Sequence, residues 1–252
     1  MSATKYYEKI SEVLAEISST QRGQIEKAAE VMALAIAANK RVYLFGSGHS
    51  VIPVMDIFPR YGSFIGFFPL YDPRLMWTNV VGPGGARELL WLETREGYIE
   101  VFLQSYPLNG GDVMIVFSHG GLNAAPIEAA LYAKSKGLTV ITVSSLANAR
   151  VSKAKHSTGK KLPDAADIAI DNCVAPEDAQ VDIGQPEKIA AGSTIAAVFI
   201  AMALVAETGT QLVAKGHTPQ TFVSPNVPGI EKDHNQKIFE SFTKALFSQN
   251  GQ

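Results

Sequence analysis

The stretch Val42-Tyr43-Leu44-Phe45-Gly46-Ser47-Gly48-His49-Ser50 decides how the rest of the chain is read. An apolar run stops abruptly at glycines and hydroxyls, and a periodic apolar segment, Val51 to Tyr61, follows at once. That is the pattern of a buried strand, a tight turn and the start of a helix. Gly46 and Gly48 allow backbone angles and close approaches that a Cβ would block. Ser47 and Ser50 put hydroxyls where the first free N–H groups of the helix also point. Such a corner suits an oxyanion such as phosphate, sulfonate or carboxylate. A glycine turn with a serine N-cap accounts for the same residues, so one corner decides nothing.

Working outward, the device recurs. Asp112–Phe117 reads as a strand, Ser118-His119-Gly120-Gly121-Leu122-Asn123 as a second glycine- and hydroxyl-bearing turn, and Ala124–Ser135 as a helix with Pro126 in its first turn. Leu138–Val143 is a further strand ending in Ser144 and Ser145, and Asp167–Asp171 is the last. Between the two devices, Phe64–Leu70 is a strand, 74–85 a loop, and Arg87–Glu93 and Tyr98–Gln104 short helices. Strands alternating with helices predict one α/β domain with a parallel sheet, in which ligands bind at the carboxyl ends of the strands. Three hydroxyl-bearing strand ends converge there. Residues 1–39, two helical patterns broken near Ser18-Ser19-Thr20, form an N-terminal helical arm; 40–208 is the core and 209–252 a C-terminal extension ending in a helix.

Composition narrows the function. Hydrophobic residues make up 46% and charged residues 18% of the 252, enough for a large core. A net charge of -2, with no long Lys/Arg run, gives no footprint for nucleic acid. Cys173 is the only cysteine, so no intrachain disulfide or cysteine-based zinc cluster forms. The charged, amphipathic Met1–Ile17 does not read as a signal peptide, and a reducing cytoplasm is the expected setting. Ile189–Ala206 has no charge and is about as long as a minimal membrane span, but its glycine, hydroxyls and many alanines fit a buried or subunit-interface helix.

These motifs resemble the sugar isomerase (SIS) domain family. The turns at 46–50 and 118–123 and the strand end Thr142-Val143-Ser144-Ser145 match its sugar-phosphate loops in order. A subgroup of phosphosugar-binding proteins is suggested by Asn123–Glu128, His156-Ser157-Thr158-Gly159-Lys160 and Phe222–Gly229. The resemblance implies a flavodoxin-like three-layer sandwich, sugar-phosphate ligands, and homodimers or homotetramers with sites near subunit interfaces. Two departures stand out. The family's second loop usually reads Ser-x-Ser-Gly, whereas Gly120 here lacks the hydroxyl, which admits another anion such as a sulfonate. The glutamate and histidine of phosphoheptose isomerases fall on Arg60 and Ile200, so that acid/base pair does not carry over.

The favoured reading is aldose–ketose isomerisation of an anionic sugar, through an enediol(ate) and without a cofactor. Its needs are a base near C2, a group to open the sugar ring and donors for the developing oxyanion. The third glycine of a dinucleotide fingerprint is missing, since position 51 is Val. Asp56 and Glu128 are the candidate proton carriers, and His49 and His156 the candidates for ring opening. Gly46, Ser47, Gly48, Ser50, Ser118, His119, Gly120, Gly121, Asn123, Ser144, Ser145 and Lys160 would bind the sugar and its anion. An Asp56–Arg60 pair at i,i+4 and a solvated helix face at Glu128 are the competing explanations. No metal-ligand spacing appears. Trp77 and Trp91 read as core residues. A sugar-phosphate sensor, or a lyase or etherase acting on an acidic sugar, would use the same loops.

Overall fold

The computed structural model describes residues 1–76 and 85–247. Its five-stranded sheet is built from β1 (Val42–Gly46), β2 (Phe67–Pro69), β3 (Val113–Phe117), β4 (Thr139–Ser144) and β5 (Ile168–Asp171), all parallel, in the order β2-β1-β3-β4-β5. Alternate residues serve opposite faces. Val42, Leu44, Ile115, Phe117, Ile141 and Ile170 point into one core, and Tyr43, Phe45, Met114, Val116 and Val140 into the other. Because both faces are covered, these strands read as unbroken apolar runs.

The first face is covered by α1 (Ser2–Thr20), α2 (Arg22–Ala37), α3 (Val51–Ile57) and the long α8 (Ser193–Ala214). The second is covered by α4 (Gly85–Leu92), α5 (Tyr98–Leu103) and α6 (Ala124–Ser135). The short α7 (Leu146–Val151) follows β4, and α9 (His234–Phe247) ends the described chain. This is the three-layer α/β sandwich expected from the sequence.

Several expectations are corrected. α2 is not part of an arm: Ala28, Ala29, Met32 and Ala33 are fully buried against α8 and the sheet. The helical break falls at Gln21, since the hydroxyls of Ser19 and Thr20 donate back to carbonyls of the preceding turn and let α1 continue. The second strand shrinks to Phe67–Pro69, because Phe64 turns away to bridge Thr221 of the C-terminal segment. Ile189–Ala191 is not helical. It forms β7, which pairs antiparallel with β6 (Ala179–Val181) in a hairpin beside the sheet. The helix begins at Ser193, and through Ala196, Ile200, Leu204 and Leu212 it packs as a layer of the sandwich. Trp91 is exposed rather than core, with Arg95 stacked over its ring. Trp77 and most of the 74–85 loop lie outside the described residues.

The β1 turn depends on Gly46. A Cβ there would stand 2.1 Å from the Ser50 carbonyl oxygen and 2.6 Å from its carbon, both backbone atoms. By contrast, nothing lies within 4 Å of a Cβ at Gly23 in α2. Gly46→Ala should therefore destabilise the fold by roughly 3 kcal/mol or more, through strain that no side chain can relieve. Gly23→Ala should stabilise it by about 0.5 kcal/mol through helix propensity. Urea denaturation of the two variants checks both signs.

Candidate active site

In this strand order the connections from β1 and β3 leave in opposite directions, which opens a crevice between the carboxyl ends of those strands. The two turns flanking it are tied by a residue the sequence reading passed over. Glu93, 8% exposed, follows α4 directly. Ser47 Oγ donates to its Oε2 (2.9 Å) and Asn123 Nδ2 to its Oε1 (2.7 Å). Its own carbonyl accepts from Ala125 N–H at the start of α6 (2.9 Å). Burial pushes the Glu93 carboxyl above the usual glutamate range, and the hydrogen bonds from Ser47 and Asn123 draw it part of the way back. Ser47 and Asn123 thus spend their polar groups on Glu93 and hold the turns in place.

Below the crevice is a cavity of about 20 Å³ lined by Ser50, Ser118, His119, Asn172, Ser193 and Thr194, with His49 exposed at its rim. A space of that size takes about one oxygen atom. The His119 Nε2 lies buried without a hydrogen-bond partner among the described residues. Its proton can be placed. Asn172 Oδ1 accepts from Val174 N–H (3.1 Å), so Asn172 Nδ2 faces His119 Nδ1 (3.1 Å) and donates to it. Nδ1 is therefore an acceptor and Nε2 carries the hydrogen. Ser118 Oγ accepts from Gly121 N–H (3.2 Å), which closes the β3 turn. Beside Gly120 there is room, since a Cβ there would meet only Asn148 Nδ2 at 3.9 Å. Among the described residues Ser144 Oγ is buried without a hydrogen-bond partner. Asp178 on the hairpin fixes the start of α8, its carboxylate accepting from the Ser193 N–H (2.7 Å) and hydroxyl (2.9 Å).

Other candidates are placed elsewhere. Asp56 is paired with Arg60, whose Nη1 also lies 3.9 Å from Met202 Sδ on α8, so this carboxylate does not line the crevice cavity. Glu128 and His156 do meet, with Nε2 3.7 Å from Oε1, but in a separate cleft of about 310 Å³ that shares no lining residue with the first. There Glu128 accepts from Gly97 N–H, and Thr158 N–H donates to His156 Nδ1 (3.2 Å), which turns His156 Nε2–H toward the carboxylates of Glu128 and Glu96. Ser145 is consumed as the cap of α7, donating to Val174 O (2.6 Å) and accepting from Asn148 N–H (3.1 Å). Lys160 is exposed on the loop that carries His156. Among the described residues no group of three or more His, Cys, Asp or Glu side chains is placed to hold a metal ion.

The SIS domain model matches residues 5–145, which contain both glycine turns and Glu93. The chain belongs to the SIS domain family. A UPF0309 protein of Shouchella clausii is 35% identical over 94% of both chains, and another, of Caldanaerobacter subterraneus, is 34% identical over 96% of this chain and 97% of its own. Among solved structures, phosphoheptose isomerases from Neisseria gonorrhoeae (TM-score 0.56) and Francisella tularensis (0.55) share the fold. Each is 14% identical and is matched over 82% of this chain, and over 97% and 96% of its own length respectively. The SIS sandwich goes with this membership.

Removing the Glu93 tie should be measurable without a substrate. Glu93→Ala strands the Ser47 and Asn123 donors and should cost about 1–3 kcal/mol of stability. Because the folded-state pKa is raised, the folded protein holds more protons than the unfolded chain in this window. Wild-type stability relative to Glu93→Gln should therefore fall as pH rises from the ordinary glutamate value through the raised one, and level off above it. Urea denaturation across a pH series tests the slope, and a rising or flat difference would contradict the assignment.

Proposed function

We propose that this SIS protein is a cofactor-free aldose–ketose isomerase acting on an anionic sugar in the crevice between the β1 and β3 turns. The observation that carries the reading is the buried Nε2–H of His119, fixed in that tautomer by Asn172 and without an acceptor among the described residues, on a side chain that lines a cavity one oxygen wide. A preset donor with no protein acceptor suits an oxygen on which negative charge develops. In this reading the open-chain aldose puts its C1 carbonyl oxygen against His119. The rim imidazole of His49 removes the C2 proton, and the electron pair moves to form the C1–C2 double bond while charge collects on O1. His49, exposed at the rim, exchanges that proton with solvent and delivers one to C1, the O2 proton passes to O1, and C2 becomes the carbonyl carbon. The sugar's anion occupies the space beside Gly120, held by Ser50, Ser118 and turn N–H groups. A phosphate or a sulfonate would fit that chemistry.

We also propose that the working form is a homo-oligomer. α8 is long and apolar enough to cross a membrane by length and composition, with a mean hydropathy of 1.7, yet only 44% of its apolar window is buried within one chain. Ile195 and Val213 remain exposed on it, and a second subunit would cover them.

Proton NMR in deuterated water with a panel of aldose phosphates and sulfosugars tests the reaction. Deuterium should appear in the ketose product at the carbon reprotonated by His49. His119→Asn should lower kcat by about 10²–10³ with little change in KM, the size expected for one lost oxyanion donor. Asn172→Asp would accept from Nδ1 instead, move the hydrogen off Nε2 and cause a similar loss. Binding without exchange in the wild type would favour a sensor over an enzyme. Full activity in Asn172→Asp would defeat the tautomer argument.

A further inference from the structure

At the other end of β1 from Ser47 lies a second, larger groove of about 740 Å³, walled by Tyr43, Phe58, Phe68, Tyr106, Phe239 and Phe242. Among its described lining residues Arg41 alone is charged, and it is only 4% exposed. The guanidinium lies 4.8 Å over the Phe68 ring. Its Nη2 donates to the carbonyls of Ala245 (3.0 Å) and Leu246 (3.1 Å) in the last turn of α9, and its Nη1 reaches the Tyr43 hydroxyl at 3.4 Å. Among the described residues the Nε is buried without a hydrogen-bond partner, and no carboxylate forms an ion pair with this side chain. Asp112 is close in the fold, but its two oxygens accept from the backbone N–H groups of Arg41 and Asn109 (2.9 Å each). The guanidinium is held by two carbonyls, one hydroxyl and an aromatic face, and its buried Nε–H is left as an unused donor.

We propose that this groove binds a small carboxylate with an apolar body, its charge toward Arg41 and its body along Phe68 and Phe242. The volume falls within the range of small-molecule sites, and a guanidinium is the side chain best suited to a carboxylate. The wall offers one charge and few donors, so it does not suit a polyhydroxylated sugar, and the site is distinct from the crevice at the strand carboxyl ends. A second copy of the chain fits less well, because a two-fold contact through this patch would bring two Arg41 charges to one interface.

Calorimetric titration of the full chain with octanoate, octanol and octylamine tests the proposal. Octanoate should bind saturably and at least tenfold more tightly than octanol, and octylamine should not bind. Phe239 is half-exposed at the rim, so Phe239→Glu should weaken octanoate binding at least tenfold in a protein that still unfolds cooperatively. Arg41→Lys should retain part of the affinity and Arg41→Gln should lose it; if the glutamine variant does not fold, the neutral probe and Phe239→Glu decide. Equal affinity for octanoate and octanol, or octanoate binding unaffected by Phe239→Glu, would overturn the assignment. So would a concentration-dependent dimer that Phe239→Glu abolishes and octanoate does not disperse, which would give the groove to a second copy.

Discussion

One buried carboxylate holds the crevice in shape. In a parallel sheet ordered like this one, the β1 and β3 turns are driven apart by the opposite directions of their crossovers. Glu93 draws them together, taking one hydrogen bond from each turn through its carboxylate while its backbone carbonyl receives the first turn of α6. Desolvation works against the ionised form, which is why the carboxyl titrates high. An amide or alcohol could not accept from both turns in the same geometry. Gly46 brings the β1 turn back against the Ser50 backbone, and Ser50, Ser118, Ser193 and Thr194 line a space that takes about one oxygen atom.

The chemistry of that space is set from a distance. His119 lies on the β3 turn, but its tautomer is dictated by Asn172 beyond β5, whose amide is oriented in turn by the backbone of Val174. The opposite wall, the start of α8, is positioned by Asp178 from the β6–β7 hairpin. A donor held by such a relay does not have to reorganise when charge appears in front of it. In a buried site it interacts with that charge more strongly than it would in water.

Legibility from sequence followed burial. β1, β3 and β4 were readable because strands covered on both faces leave no polar alternation to confuse the pattern, and β5 through its alternating burial. β2, at the edge, has a partner strand on one side only and gives up Phe64 to Thr221. β7 was hidden by composition, since Ile189-Ala190-Ala191 runs into α8 with no charge to mark the join, and only the backbone turns there, at a left-handed Ala190 (φ 64°). Glu93 gave no local signal at all: its partners lie 46 and 30 residues away, and a glutamate ending a short helix reads as solvated. The glycine turns were found because steric need writes itself into a few adjacent residues, whereas an electrostatic tie between distant turns does not.

The stretch His156–Lys160 shows the same limit from the other side. Its likeness to the subgroup's signature suggested a part in function, and the structure gives it one well-defined set of contacts away from the crevice cavity. Ser157 binds Glu96, its hydroxyl and then its N–H holding that carboxyl below the usual range, while Thr158 turns His156 toward Glu128 on α6. Immediately after it, Lys161 Nζ donates to Ala149 O and Leu162 N–H to Gly121 O (2.9 Å). The loop is therefore fastened to the segment after α4, to α6, to α7 and to the β3 turn. A strap with those anchors limits how far Gly120 and Gly121 can move. On this geometry the polar loop meets the β3 turn through its backbone, and Lys161 is the charged side chain that fastens it to α7.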